Sequence, residues 1–451
     1  MTVKELIARS KAAQAAFAFA TQEQADAAAR AICKVVYDNA EKLGPMAAEE
    51  SRMGSEQDKI AKCRNKSALI WESLKGKKSC DIINRIEERR MIEVAKPVGV
   101  VASIIPSTNP VVTPMSNGAF ALKCRNSVIF APHPRAVKCT KLLVEMFRAE
   151  LKKLGLPEDL VLGLEEVSND LTSELMSAAD MVVATGGMGM VKAAYSSGKP
   201  AIGVGQGNVQ CIIDEDADIA DAVGKIIIGR AFDNGLICLG EQTVFVPEDK
   251  EAEFVAEMKK QGGYLVEGEE NVDKLREGLF PGGGAFSRVV VGMFADQVSD
   301  EIGLGAPKGT RVLFAKAKAL GAGDVLCREK LCPVIAYMTY KTFKEGVAMM
   351  EANLDHEGKG HSIAVHSNTP ENVEYAAIRC CVSRVVVNQP SGTTGGGSPT
   401  NGFTPTTTLG CGTWGNNILC ENVDYIHLIN VSKIALPLDV ELPSGEELFA
   451  D

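Results

Sequence analysis

Apolar residues recur at helical spacing from residue 3 to about residue 75, as in the stretch Ala25 to Ala40, and the pattern breaks at Gly44-Pro45 and again near Gly76. From Met91 the texture changes. The segment MIEVAKPVGVVASIIP is rich in Val and Ile and punctuated by Pro97 and Gly99, which predicts strands. A loop, PSTNP at 106–110, is followed by a helix and then by the strand SVIFAP at 127–132. The alternation continues with a helix from Val137 to Leu154, a strand in DLVLGLEE at 159–166, a helix from Leu171 to Ala179 and a strand MVVAT at 181–185. That strand runs into Gly186-Gly187-Met188-Gly189, and another helix through Tyr195 leads to AIGVG and VQCIID. Strands and helices alternating in this way predict an α/β fold with a parallel, doubly wound sheet, the architecture in which a nucleotide binds.

Beyond Asp221 a helix runs to Phe232, and FDNGLICLGEQTVFVP then puts Cys238 in a loop just ahead of the strand QTVFVP. A second α/β unit fills 240 to about 390, with strands near 288–292, 311–315, 333–339 and 384–387. The Gly/Thr/Asn-rich stretch from Pro390 to Asn417 lacks the repetition and charge of a disordered tract, so it reads as a long functional loop. YIHLINVSKIAL supplies an apolar strand near the C-terminus that pairs outside the main sheets.

With 451 residues the chain exceeds one simple core, and two domains are the expectation. A net charge of −10 and the absence of a long Lys/Arg run argue against a nucleic-acid or anionic-membrane surface. The first 20 residues read as an amphipathic helix rather than a signal peptide, and no stretch has the length of a membrane span, so a cytoplasmic protein is expected. Thirteen cysteines without a CxxC pair read as reduced thiols, and the five histidines form no zinc-like spacing, so no metal is expected.

Four places carry candidate chemistry. The glycine turn after MVVAT would let phosphates approach a helix N-terminus, although it lacks the G-x-G-x-x-G spacing and equally suits a plain tight turn. Cys238, between Gly235 and Gly240, has the setting of a presented thiolate, yet residue chemistry leaves it one thiol among thirteen. Asn109, held between prolines, is suited to donate to an oxyanion or to hold a turn. His361, in a glycine-flanked loop, is an acid/base candidate or a surface residue.

Together these pieces resemble one family. PVGVVASIIPSTNP, APHPRA, ATGGMGMVKAAYSSGKPAIGVGQGN, FDNGLICLGEQ, REKLCPV, GKGHS and TLGCGTWGNN look like the CoA-acylating branch of the aldehyde dehydrogenases, in the same order and over nearly the whole chain. The resemblance implies Cys238 as nucleophile, Asn109 with the Cys238 N–H as oxyanion donors, and His361 as an aid to proton transfer or CoA attack. For NAD or NADP it implies His133 and Pro134 at the adenosine side, Glu329 at the nicotinamide ribose, and Thr185, Gly186, Gly187, Gly189 and Gly205 along the cleft. Thr108, Arg135, Ser391 and Thr393 would meet the substrate. Hydrolytic relatives carry a water-activating Glu in an ELGGK-like segment, and the matching GVGQGN has none, which favours coenzyme A as acceptor.

Within that branch the chain is most similar to succinate semialdehyde and sulfoacetaldehyde enzymes, whose aldehydes bear an anion that Arg135 or Lys359 would pair with. Acetaldehyde or propionaldehyde enzymes, a hydrolytic dehydrogenase and a silent scaffold subunit are the alternatives. The implied fold divides into a cofactor domain (1–83 and 97–232), a catalytic domain (233–422) and a β oligomerisation arm (84–96 and 423–451). The arm implies a homodimer or homotetramer.

Overall fold

The computed structural model describes residues 1–450. Four helices open it: α1 (Val3–Phe17), α2 (Gln22–Asp38), α3 (Ala40–Ser51) and α4 (Glu56–Leu74). Thr2 and Thr21 cap the first two through reciprocal boxes with Glu5 and Gln24, and Ser55 caps α4. The helix break expected at Gly44-Pro45 does not occur. Both residues lie inside α3, where a Cβ at Gly44 would stand 2.6 Å from Ile60 Cγ1 of α4. The missing Cβ lets α3 and α4 pack closely and relieves the clash that normally forces the residue before proline out of the helix.

β1 (Asp81–Ile86) and β2 (Met91–Pro97) form a hairpin, after which the chain enters a parallel sheet. That sheet contains β3 (Val100–Ile105), α5 (Val112–Lys123), β4 (Ser127–Pro132), α6 (Val137–Lys153), β5 (Val161–Gly163), α7 (Asn169–Ala178), β6 (Met181–Thr185), α8 (Met188–Tyr195) and β7 (Ala201–Val204) in turn. β3 is buried at every position, as its unbroken apolar run requires of a strand covered on both faces. Gly99 makes the entry possible: its φ is +117°, and a Cβ there would run into the Asp180 carboxylate, which accepts the Val100 N–H at 2.9 Å. The strand order β5-β4-β3-β6-β7 reverses direction at β3 and β6, so a crevice opens beyond the carboxyl ends of that pair. The strand expected over 159–166 is confined to Val161–Gly163, because Glu158–Leu160 forms a helical turn.

The remaining chain builds a second sheet from β8 (Val209–Ile213), α9 (Ile219–Ala231), β9 (Glu241–Pro247), α10 (Glu251–Lys260), β10 (Gly263–Leu265), α11 (Glu269–Leu279), α12 (Ala295–Ile302), β11 (Val312–Lys316), β12 (Val334–Tyr340), α13 (Phe343–His356), β13 (Gly360–His366), α14 (Pro370–Arg379) and β14 (Val382–Val387). Its seven parallel strands run β10-β11-β12-β9-β8-β13-β14. Sheet membership therefore changes between Val204 and Val209, ahead of the division expected after 232. The β-branched run at 288–292 is a turn rather than the expected strand: Gly292 has a φ of +68°, and its N–H donates to Leu331 O at 2.8 Å. Of its valines, Val290 is buried in the core cluster beneath β11 and β12, while Val289 is exposed.

The C-terminal strand β15 (Ile429–Ala435) pairs antiparallel with β2, giving a third sheet, β1-β2-β15, separate from the other two. It starts at Asp81 and includes Pro97, somewhat wider than the arm expected from the sequence. No helix among the described residues is long and apolar enough to cross a membrane.

Candidate active site

The segment leading to Cys238 is held under backbone strain. Asp233 and Asn234 both adopt left-handed conformations (φ 49° and 54°), and Gly235 (φ +71°) has no room for a Cβ, which would stand 2.6 Å from Cys332 O. Such strain persists only where the surroundings over-determine it. The buried Asp233 carboxylate accepts from Ser55 N–H at 3.1 Å and pairs with Lys59 at 3.2 Å and with Lys62. Its own N–H donates to Asp58, and Asn234 donates to Gly292 O at 2.9 Å. Helix α4 thus anchors the turn from which the nucleophile loop departs.

Lys62 has a second partner. Its ammonium donates to Asn109 Oδ1 at 2.7 Å. An ammonium has no acceptor, so the amide oxygen must face Lys62 and the Nδ2 donors must face away from it. Asn109 and Cys238 line one cavity of about 490 Å³ together with Lys62, Lys66, Thr393 and Thr407. Of the sequence-predicted substrate residues, Thr393 lines this cavity. Thr108 lies behind it with its carbonyl accepting from Lys59 at 3.4 Å. Ser391 is buried with its N–H on Glu241 at 2.7 Å, and Arg135 is exposed, outside the cavity lining. Lys359 pairs with Asp355.

On the other side of Cys238 stand Gly207, Glu329 and His361. A Cβ at Gly207 would run into the Cys238 carbonyl and come within 3.1 Å of His361 Cε1, so the glycine lets nucleophile and imidazole converge. Glu329 accepts the Gly207 N–H at 3.0 Å, and burial pushes its carboxyl up to about 8. His361 lies in β13 rather than in the expected loop, because the apolar run after it belongs to a strand paired on both sides, with β8 and β14. It is fully buried, and both ring nitrogens lack a hydrogen-bond partner among the described residues. Burial, aided by Arg384, holds it well below its usual pKa and therefore neutral. Arg384 was not legible as a site residue: its guanidinium donates to His361 O at 2.8 Å, to Gly410 O at 2.9 Å and to Ser362 Oγ at 3.0 Å. The signal was a charge inside the apolar strand VSRVVV. Cys238 itself is half-buried, and burial first, then the Glu329 carboxylate, pushes its thiol up to about 12.

Apart from Glu329, the expected cofactor residues lie at the carboxyl ends of the five-stranded sheet. His133 and Pro134 follow β4 and are exposed; burial on the protein side lowers the His133 pKa. Thr185 ends β6 with its hydroxyl 3.4 Å from Thr408 Oγ1, and Gly186 donates to Val204 O. Gly187 and Gly189 flank the start of α8, which has no side-chain cap, and a Cβ at either would meet nothing within 4 Å. Gly205 lies under Met188, whose sulfur would be 2.8 Å from a Cβ there. Uncapped N–H groups at a helix start beside the β3/β6 crevice suit a pyrophosphate.

A model of the aldehyde dehydrogenase family matches residues 1–274. The chain belongs to the aldehyde dehydrogenase family. A succinate-semialdehyde dehydrogenase (acetylating) from Clostridium kluyveri is 48% identical over 100% of this chain and 99% of its own. A sulfoacetaldehyde dehydrogenase (acylating) from Bilophila wadsworthia is 39% identical over 100% and 98%. Among solved structures, an acetylating aldehyde dehydrogenase from Geobacillus thermoglucosidasius superposes with a TM-score of 0.94 at 36% identity, covering 98% of this chain and 97% of that one. A Rhodopseudomonas palustris propionaldehyde dehydrogenase with bound CoA and an acylated cysteine gives 0.86 at 25% identity, covering 96% and 97%. This aldehyde dehydrogenase is an oxidoreductase acting on aldehydes, and its two parallel sheets are the family's α/β fold.

Proposed function

We propose that the enzyme interconverts a small, anion-bearing aldehyde, succinate semialdehyde or sulfoacetaldehyde, and its acyl-CoA, through a thioester on Cys238. The observation that carries this reading is the convergence of Cys238 and the oriented Asn109 amide on one cavity whose lining includes lysines and no acidic side chain. Two relatives similar along the whole chain act on aldehydes of that class. NAD(P) would be held by Glu329 and the residues at the carboxyl ends of β4, β6 and β7, and would supply the hydride acceptor.

The Cys238 thiol gives its proton to neutral His361 as its sulfur adds to the aldehyde carbon, forming the C–S bond while the carbonyl π electrons move to oxygen. Asn109 Nδ2 and the Cys238 N–H stabilise that oxyanion. Loss of hydride restores the carbonyl as a thioester. The thiolate of CoA then adds, the carbonyl reforms, and the Cys238 thiolate departs. Once that first proton has passed to solvent, neutral His361 takes the thiol proton of CoA and returns it to the departing Cys238 sulfur, and the segment GVGQGN carries no carboxylate to activate water.

CoA-dependent NAD(P)H formation with acetaldehyde, succinate semialdehyde and sulfoacetaldehyde tests the reading. An anionic aldehyde is expected to give the highest kcat/KM. NAD(P)H formation at full rate without CoA refutes the acylating mechanism, and a preference for acetaldehyde refutes the anionic substrate. For the assembly we infer a homodimer or homotetramer built through the β1-β2-β15 arm, whose outer strands leave unpaired edges.

A further inference from the structure

Helix α4 carries Lys59, Lys62 and Lys66 at spacings of three and four, on the stripe that also holds buried Cys63, Ser67 and Ile70. Lysines inside an apolar stripe need partners. Lys59 and Lys62 have theirs in Asp233. Lys66 differs: its ammonium donates to Gly396 O at 2.8 Å, and no carboxylate lies within 4.0 Å of it among the described residues.

The surroundings leave this charge without compensation. Burial, and then Lys62, pull the Lys66 pKa down to about 8, and Cys238 is near enough to oppose that shift only when it is ionised. Of an ammonium's three donors, one is used by Gly396, so two remain for a ligand. Among the cavity's lining residues the charged groups are Lys62 and Lys66, and Lys62 is already engaged by Asp233 and Asn109. Thr407, on the same lining, has a buried hydroxyl with no hydrogen-bond partner among the described residues. The same lining includes the apolar side chains of Leu69, Val112, Phe232 and Leu239. A cavity that brings together a nucleophile, apolar lining, a cation without a carboxylate partner and a free hydroxyl matches an aldehyde whose far end is an anion.

We propose that Lys66, assisted by the Thr407 hydroxyl, is the specificity-determining residue that takes the distal carboxylate or sulfonate of the substrate. This rests on the acylating reading above and adds to it the group that recognises the anion. Arg135, exposed and outside the cavity, has no part in it.

The test compares kcat/KM for succinate semialdehyde and for butyraldehyde, a neutral aldehyde of equal carbon count, in the wild type, Lys66→Met and Lys66→Arg at saturating CoA and NAD(P). Loss of a charge-assisted contact is expected to lower the semialdehyde value in Lys66→Met by about 10- to 100-fold, with butyraldehyde changed less than about threefold and Lys66→Arg recovering most of the loss. An equal fall on both aldehydes overturns the proposal, since it marks a clamp on the Gly396 loop. No change on either also overturns it. A second arm needs no turnover: succinate should slow alkylation of Cys238 by iodoacetamide in the wild type but not in Lys66→Met. Equal protection in both overturns the proposal. Absence of CoA-dependent turnover in the wild type refutes the acylating reading alone, and the protection arm still decides whether Lys66 binds the anion.

Discussion

Cys238 rests as a protonated thiol, because burial and the Glu329 carboxylate hold it up to about 12. In the free enzyme its iodoacetamide reactivity should rise about tenfold per pH unit from 7 to 10, since the thiolate fraction grows that fast below the pKa. A plateau at or below pH 8 would contradict this setting. Removing the oxyanion donor in Asn109→Ala should lower kcat by about 10²- to 10³-fold. Lys62→Met should lower kcat by about tenfold by freeing the Asn109 amide, and should also reduce stability in urea unfolding, because Asp233 keeps one cation instead of two. At this scale residue chemistry offers Cys238, Asn109 and His361 as candidates beside plainer readings, and only the resemblance gives them roles and adds Glu329. The lysines of α4 and Arg384 did leave a mark, as charges inside apolar periodicity. Their partners, Asp233 and the His361 carbonyl, lie more than 20 residues away, so spacing alone did not reveal the contacts.

Strands and helices were legible wherever an apolar run was long or strictly periodic, as with MVVAT and Met181–Thr185, which coincide. Short runs misled. Residues 288–292 are as β-branched as a strand but turn at Gly292, and the glycines of GKGHS suggest a loop where His361 instead begins the strand Gly360–His366. Pro45 failed as a helix breaker because Gly44 beside it lets α3 settle on α4. The junction between sheets, β7 to β8, passes through Gly207, where the nucleophile carbonyl and His361 approach. Gly207→Ala should therefore displace the Cys238 loop and lower kcat by about 100-fold, the order expected for a misplacement near 1 Å. Unchanged kcat in a folded variant, measured beside its thermal midpoint, would show that the close approach is dispensable.

Across the whole molecule, the buried thiols Cys33, Cys63, Cys332 and Cys380 are all pushed up to about 12 by burial. Their folded pKa values exceed the unfolded value of about 8.5, so the stabilisation they contribute is complete below that pH and is lost as pH rises toward 12. Each should cost about 1.4 kcal/mol per pH unit in that window, so the thermal midpoint should fall steeply above pH 8.5; a flat profile to pH 10.5 would contradict the burial of these groups. The exchange between sheets after Val204 leaves no mark in the hydrophobic pattern, because β8 has the same apolar texture whichever sheet it joins. The central claim is that an acyl group passes through Cys238 to CoA. Peptide mass spectrometry of enzyme mixed with succinate semialdehyde and NAD(P)+ without CoA tests it most directly. The account predicts that the Cys238 peptide gains one succinyl group, which added CoA removes as succinyl-CoA; an unmodified Cys238, or release of free succinate at the same rate without CoA, would contradict it.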